Sequence, residues 1–224
     1  MVNNLIRNPI HWWLPPVSLL GMCVGIQALA NDVIVTNSDG EPLNDAVVEV
    51  YFERPSATPV EDYVYQRNAA FDPHVITVPT GSHVAFPNED TTRHHVFSFS
   101  PAKTFDLELY LSETPPPIHL DQAGVVVLGC NIHDHMQAFI VVSDAPYAAL
   151  TNSEGKLTLP TMPEGRHRMR VWHSQMDDSQ TIWWEGDISN TENVVAVLEL
   201  NATPIQPATL SPLQQRFRDA THNH

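Results

Sequence analysis

The stretch VVVLGCNIHDHMQAFIVV, residues 125–142, decides the fold. Val125 to Cys130 and Ala138 to Val142 are short apolar runs rich in β-branched residues, too brief for buried helices, and they predict two strands joined by a polar loop. Outward from this pair the same chemistry repeats. Val33 to Thr36, Ala46 to Phe52, Tyr63 to Arg67, Val75 to Val78, Val84 to Pro87 and His94 to Ser100 are expected strands upstream. Lys156 to Leu159, His167 to Trp172, Thr181 to Trp184 and Val194 to Leu200 are expected downstream. Thr80-Gly81 and Asn88-Glu89-Asp90 supply turns, and Asp39-Gly40 between the first two strands is a hairpin signal. Thr114-Pro115-Pro116-Pro117 forbids regular structure. One short helix is expected at Ser211-Pro212, where Ser caps and Pro occupies the first turn. The pattern is all-β.

The loop between the two central strands carries Cys130, His133 and Met136 in the order Cys-x2-His-x2-Met, downstream of the pair His94-His95. A thiolate, two imidazoles and a weak thioether are the donor set that holds a single copper ion in a trigonal electron-transfer site. Three donors in one tight loop need a fourth from a remote strand, so the fold rather than the ion sets the geometry. Four protein donors leave no position open for a substrate, which argues against an enzyme. The residues leave the upstream ligand undecided, because strand alternation puts His95 with Phe97 and Phe99 on one face and His94 with Val96 and Ser98 on the other. His135 is either an exposed group through which electrons or metal pass or a solvent-facing residue with no role. His74, His83, His119, His167 and His173 stand at strand spacings without partner ligands and are expected to be ordinary residues. The terminal His222-Asn223-His224 is expected to be a loose end. No Ser-His-Asp motif, phosphate-binding glycine loop or HExxH helix is present.

The 224 residues carry 11 Lys and Arg against 26 Asp and Glu, a formal charge of −15. Without a contiguous basic stretch the chain has nothing to neutralise phosphates, and nucleic acid is excluded as a partner. Residues 1–30 have the form of an export signal: Arg7 in a polar start, an apolar run from Trp12 to Ile26, and Ala28-Leu29-Ala30 as small residues for cleavage. The periplasm is the expected location, with no membrane span after cleavage, although an uncleaved anchor and a lipidated Cys23 are alternatives. Of the two cysteines, Cys23 lies in this leader, so an exported chain keeps only Cys130. A lone thiol in an oxidising compartment is packed as a small hydrophobe, paired with another chain, or bound to metal.

The segment Cys130-Asn131-Ile132-His133-Asp134-His135-Met136 resembles the contracted ligand loop of amicyanin within the cupredoxins, the blue copper proteins. Phe71-Asp72-Pro73, Val84-Ala85-Phe86-Pro87-Asn88 and His94-His95-Val96 resemble the cupredoxin run into its first copper histidine. The whole chain is similar to an exported plastocyanin-like group often labelled methylamine-utilisation proteins, a label that implies no pathway here. The resemblance implies a cupredoxin Greek-key β-sandwich over residues 62–143 and one type 1 copper ion. Its ligands would be His94, Cys130, His133 and Met136, with His95 replacing an asparagine that braces the ligand loop. It implies single-electron transfer between redox proteins. The alternatives are a periplasmic copper carrier, and a metal-free interaction module with Cys130 in its core. Asp39-Gly40-Glu41-Pro42-Leu43 before Ala46-Val47-Val48, and later Asn152-Ser153-Glu154-Gly155 and Pro163-Glu164-Gly165, resemble the two halves of a carboxypeptidase-regulatory-like sandwich. That implies a second small β-sandwich from residues 31–61 and 144–200, followed by a tail at 201–224.

Overall fold

The computed structural model describes residues 31–55 and 57–201; the leader and the helix expected near Ser211 lie outside them. The described chain is all-β, with 17 strands. They are β1 (Asp32–Asn37), β2 (Val47–Tyr51), β3 (Glu61–Tyr63), β4 (Tyr65–Arg67), β5 (Ala70–Asp72), β6 (Val75–Pro79), β7 (Ser82–Ala85), β8 (His94–Ser100) and β9 (Lys103–Tyr110). There follow β10 (Ile118–Leu120), β11 (Gly124–Cys130), β12 (Gln137–Ser143), β13 (Tyr147–Leu150), β14 (Lys156–Thr158), β15 (Arg166–Trp172), β16 (Trp184–Ser189) and β17 (Val194–Leu198).

Two sheets come from the middle of the chain. One has the order β10-β7-β3 and the other β6-β12-β11-β8-β9. In the second, β11 is antiparallel to both β12 and β8, whereas β6 joins β12 in parallel. The chain passes repeatedly between the two sheets, the crossing pattern of a Greek-key sandwich. Alternate residues of both turn inward: Val84 and Leu120 from the smaller sheet meet Val96, Val126, Leu128, Ile140 and Val142 from the larger in one buried cluster. The short hairpin β4-β5 covers one end, with Val64 and Phe71 in the same core.

The flanking segments make the other two sheets, β14-β1-β17 and β13-β2-β15-β16. Between them lies a second cluster that includes Val33, Val35, Val48, Val50, Met169, Val171, Ile188 and Leu198. The parallel pairing of β1 with β17 and the antiparallel pairing of β2 with β15 bring the two ends of the described chain together. The far face of β2 and β15 is not exposed. Val47 and Trp172 pack there against Val75, Val125, Phe139 and Val141 from the outer face of the five-stranded sheet. Four sheets are therefore stacked in sequence, which explains why β2 reads as an almost continuous valine run rather than an alternating one.

Several expectations shift. The Asp39-Gly40 turn closes locally, with a Thr36 to Pro42 bridge, but β1 and β2 then enter different sheets and form no hairpin. The strand expected over Thr181 to Trp184 begins instead at Trp184, because the Asp177 carboxylate accepts the amides of Ser179 and Thr181, at 3.0 and 2.9 Å, and holds that segment as a turn. The segment from Tyr63 to Arg67 is split between β3 and β4. Strands β5, β9, β10 and β13 add to those expected; β9 is half-exposed along its length and lacks the apolar density that marks a strand in sequence.

Candidate metal centre

Strand β8 enters the five-stranded sheet next to β11, with Val96 opposite Cys130 and Gly129 opposite Phe97. A register irregularity between His94 and Val96 lets His94 turn into the core at the strand's start. His94 is fully buried and Cys130 is 5% exposed, and His94 Nδ1 lies 3.8 Å from Cys130 Sγ. The loop 131–136 folds back so that the Met136 amide donates to the His133 carbonyl at 2.9 Å. This closure brings the His133 ring to 5.0 Å from the His94 ring, centroid to centroid. One donor atom from each of His94, Cys130 and His133 then lies within 4.8 Å of the others. Met136 is buried in the same cluster as Cys130.

What holds His94 in place is a residue the sequence did not single out. Asp90 sits between the hairpin β4-β5 and β8. Its carboxylate accepts the amides of Asn68 and Ala69, at 2.6 and 3.0 Å, and the His94 Nε2 proton at 2.8 Å. Asn68 and Ala69 both have positive φ, the conformation of a tight hairpin turn, and Asp90 ties that turn down. Burial works against ionisation of Asp90, but the Ala69 amide, His94 and the Asn68 amide outweigh it and hold the carboxyl below its usual range. A carboxylate on Nε2 fixes the tautomer of His94, so that Nδ1 presents a lone pair towards Cys130.

The other imidazole of the pair takes a supporting position. His95 is half-buried on the opposite face of β8; Asn131 donates to its Nδ1 at 2.6 Å, and its Nε2 donates to Asp106 on β9. It thereby links the loop to the neighbouring strand. His135 is exposed, with its ring 5.9 Å from that of His133.

The residues fit a thiophilic metal ion. His133 Nδ1 is buried and has no hydrogen-bond partner among the described residues. An orphaned buried nitrogen costs roughly 1–3 kcal/mol, and an ion shared with Cys130 and His94 removes that penalty. A thiol and two imidazoles select Cu or Zn over hard cations such as Mg or Ca.

The sequence matches no family model and no curated protein. Among solved structures the chain is similar to a copper-containing nitrite reductase from Thermus scotoductus SA-01, at 22% identity and a TM-score of 0.35, over 50% of this chain and 28% of that one. It is similar to a pseudoazurin from Sinorhizobium, at 24% identity and a TM-score of 0.31, over 38% of this chain and 76% of that one. It is also similar to amicyanin from Paracoccus versutus, at 17% identity and a TM-score of 0.33, over 45% of this chain and all of that one.

Proposed function

We propose that this chain is an exported type 1 copper protein that passes single electrons between redox proteins and turns over no substrate. The observation that supports it is the convergence of His94, Cys130 and His133, with His133 Nδ1 buried and without a hydrogen-bond partner among the described residues. His94, Cys130 and His133 would be the strong ligands, and Met136 the weak one. Bound copper would supply a one-electron couple between Cu(I) and Cu(II).

The chain supplies the rest. Adjacent strands fix His94 and Cys130, Asp90 sets the tautomer of His94, and the closed loop places His133. Because these positions follow from the sheet register, they change little with the charge of the centre. Burial of His94 and Cys130 keeps water out. His133 is partly exposed beside Ile132, which is 48% exposed, and offers the apolar edge against which a redox partner docks.

Residues 1–30 would direct export to the periplasm, and residues 62–143 would form the copper domain. Residues 31–61 and 144–200 would form a carboxypeptidase-regulatory-like sandwich that positions it. Among the described residues no helix is long and apolar enough to cross a membrane.

Adding Cu(II) to the purified protein tests the reading. Strong visible absorption from thiolate-to-copper charge transfer is expected. Cys130→Ser and His94→Ala abolish it with the far-UV circular dichroism unchanged, whereas His95→Ala keeps it. A colour that survives Cys130→Ser removes the assignment, and a colourless protein that holds Cu(I) tightly replaces it with a copper carrier.

A further inference from the structure

His83 and His119 lie far from one another in sequence and directly opposite one another in the fold. They face each other across the antiparallel pair β7 and β10, with ring centroids 4.6 Å apart and planes inclined by 21°. On the other side of His83, the parallel pairing of β3 with β7 places Glu61 at the same level. Side chains at one level of a sheet leave on the same face. Ser82, Val84 and Leu120, the neighbours in register, point into the core and are fully buried, so the face that carries Glu61, His83 and His119 is the solvent face, and all three are exposed.

Two imidazoles on directly opposed positions supply the two arms of a chelate once their rings turn from stacked to convergent. Directly opposed residues of an antiparallel pair hold their Cβ atoms about 4.5–5.5 Å apart. From that base the exposed rings, turned out of their stack, aim one nitrogen each at a shared Zn or Cu ion, at the roughly 2.0–2.1 Å that it requires. The backbone of β7 and β10 is already fixed by the sandwich, so the ion orders two side chains and no main chain. Glu61 adds a carboxylate. Asp121, two residues beyond His119, is already engaged by Lys103 at 2.8 Å and serves as a nearby negative charge.

We propose that Glu61, His83 and His119 form a second metal site on the outer sheet, which binds one divalent ion of the late first transition row, Cu(II) most tightly. The preference for Cu(II) follows from nitrogen and oxygen donors with no sulfur, a set that favours tetragonal Cu(II) and the top of the Irving–Williams order. The site is chemically unlike the buried cluster. It has no thiolate, it is open to water, and its ion exchanges with solvent instead of being sealed in a core. The assignment stands independently of copper at Cys130.

Cu(II) alone, titrated into the full chain carrying Cys130→Ser, tests it while the imidazole proton signals of the histidines are followed by NMR. His83 and His119 are expected to broaden together, before the other histidines, and electron paramagnetic resonance is expected to show a tetragonal centre with imidazole nitrogens. His119→Gln is expected to weaken this binding on the order of 100-fold, because it removes one arm of a chelate. Wild-type protein titrated beyond its first equivalent gives the same pattern without the core substitution, and its visible colour is unaffected by His119→Gln. If other histidines, including His222 and His224, broaden first, or if His119→Gln leaves the affinity unchanged, the site does not exist.

Discussion

At the scale of single residues, the ligand loop and its support differ in how openly the sequence displays them. Cys130, His133 and Met136 stand out in the sequence because their donor chemistry is local, spaced within one hairpin loop, and the structure brings Cys130 and His133 together with His94. The upstream histidine is harder. Alternation along β8 separates the two histidines without saying which face points inward; in the fold Phe99 is 74% exposed and His94 shares the buried face with Val96 and Ser98. Asp90 could not be found from spacing, because its partners at Asn68 and Ala69 reach it only after β4 and β5 fold over. That triple contact makes a prediction. Asp90→Ala frees the turn amides and the Nε2 proton of His94 together, and loss of such an outer-shell partner lowers metal affinity about 10–100-fold. Competition against a chelator of known copper affinity measures it; an unchanged affinity means that burial alone orients His94.

At the scale of elements, turns carry information that strand patterns lack. The segment after Asn152 closes on Gly155, whose φ of +67° suits glycine, and a Cβ there would lie 2.5 Å from the Val35 carbonyl oxygen and 3.0 Å from the Leu43 nitrogen. Backbone cannot yield as a flexible side chain does, so Gly155→Ala is expected to destabilise the protein by about 1–3 kcal/mol, read as a lower urea midpoint. A second turn, after β15, carries pH dependence. His173 is buried, and burial pushes its imidazole below the ordinary range, while the Asn44 and Asp45 contacts work the other way. The unfolded chain takes up this proton near about pH 6.5 and the folded chain resists it, so the contribution is complete above that pH and is lost as pH falls towards the folded value. Urea midpoints at about pH 7.5 and about pH 5.5 are expected to fall on acidification, and to fall less in His173→Gln. An equal fall in both proteins places the proton uptake elsewhere. Most of the strands were legible from their β-branched runs; β9 was not, because no residue along it is fully buried, and its pairing with β8 supplies what its sequence lacks.

At the scale of the whole molecule, the joint between the two sandwiches is where the sequence says least. The flanking segments form two sheets of their own, but nothing in the valine run of β2 shows that its second face meets another sheet. Glu49 in the middle of that run is the one discordant residue, and it is fully buried. Its carboxylate is paired with Arg170 Nε on β15 and accepts the Tyr51 hydroxyl at 2.9 Å; Tyr51 also reaches Asp144, just past the end of β12, at 3.1 Å. Arg170 lies 4.2 Å over the Trp183 ring. Burial and the Glu49 charge push the Tyr51 hydroxyl well above its ordinary range, so it remains a donor at any ordinary pH. Taking two charges out of water is costly, and their attraction roughly offsets that cost only while both are present. Arg170→Met alone leaves Glu49 charged and unpaired at the joint and is expected to cost about 3–5 kcal/mol, whereas Glu49→Leu combined with Arg170→Met removes both charges and recovers most of that loss. Urea unfolding of the two variants beside the wild type decides it. A double variant no more stable than Arg170→Met alone would mean that the joint depends on the directional contacts to Tyr51 and Asp144, and not on avoiding an unpaired charge.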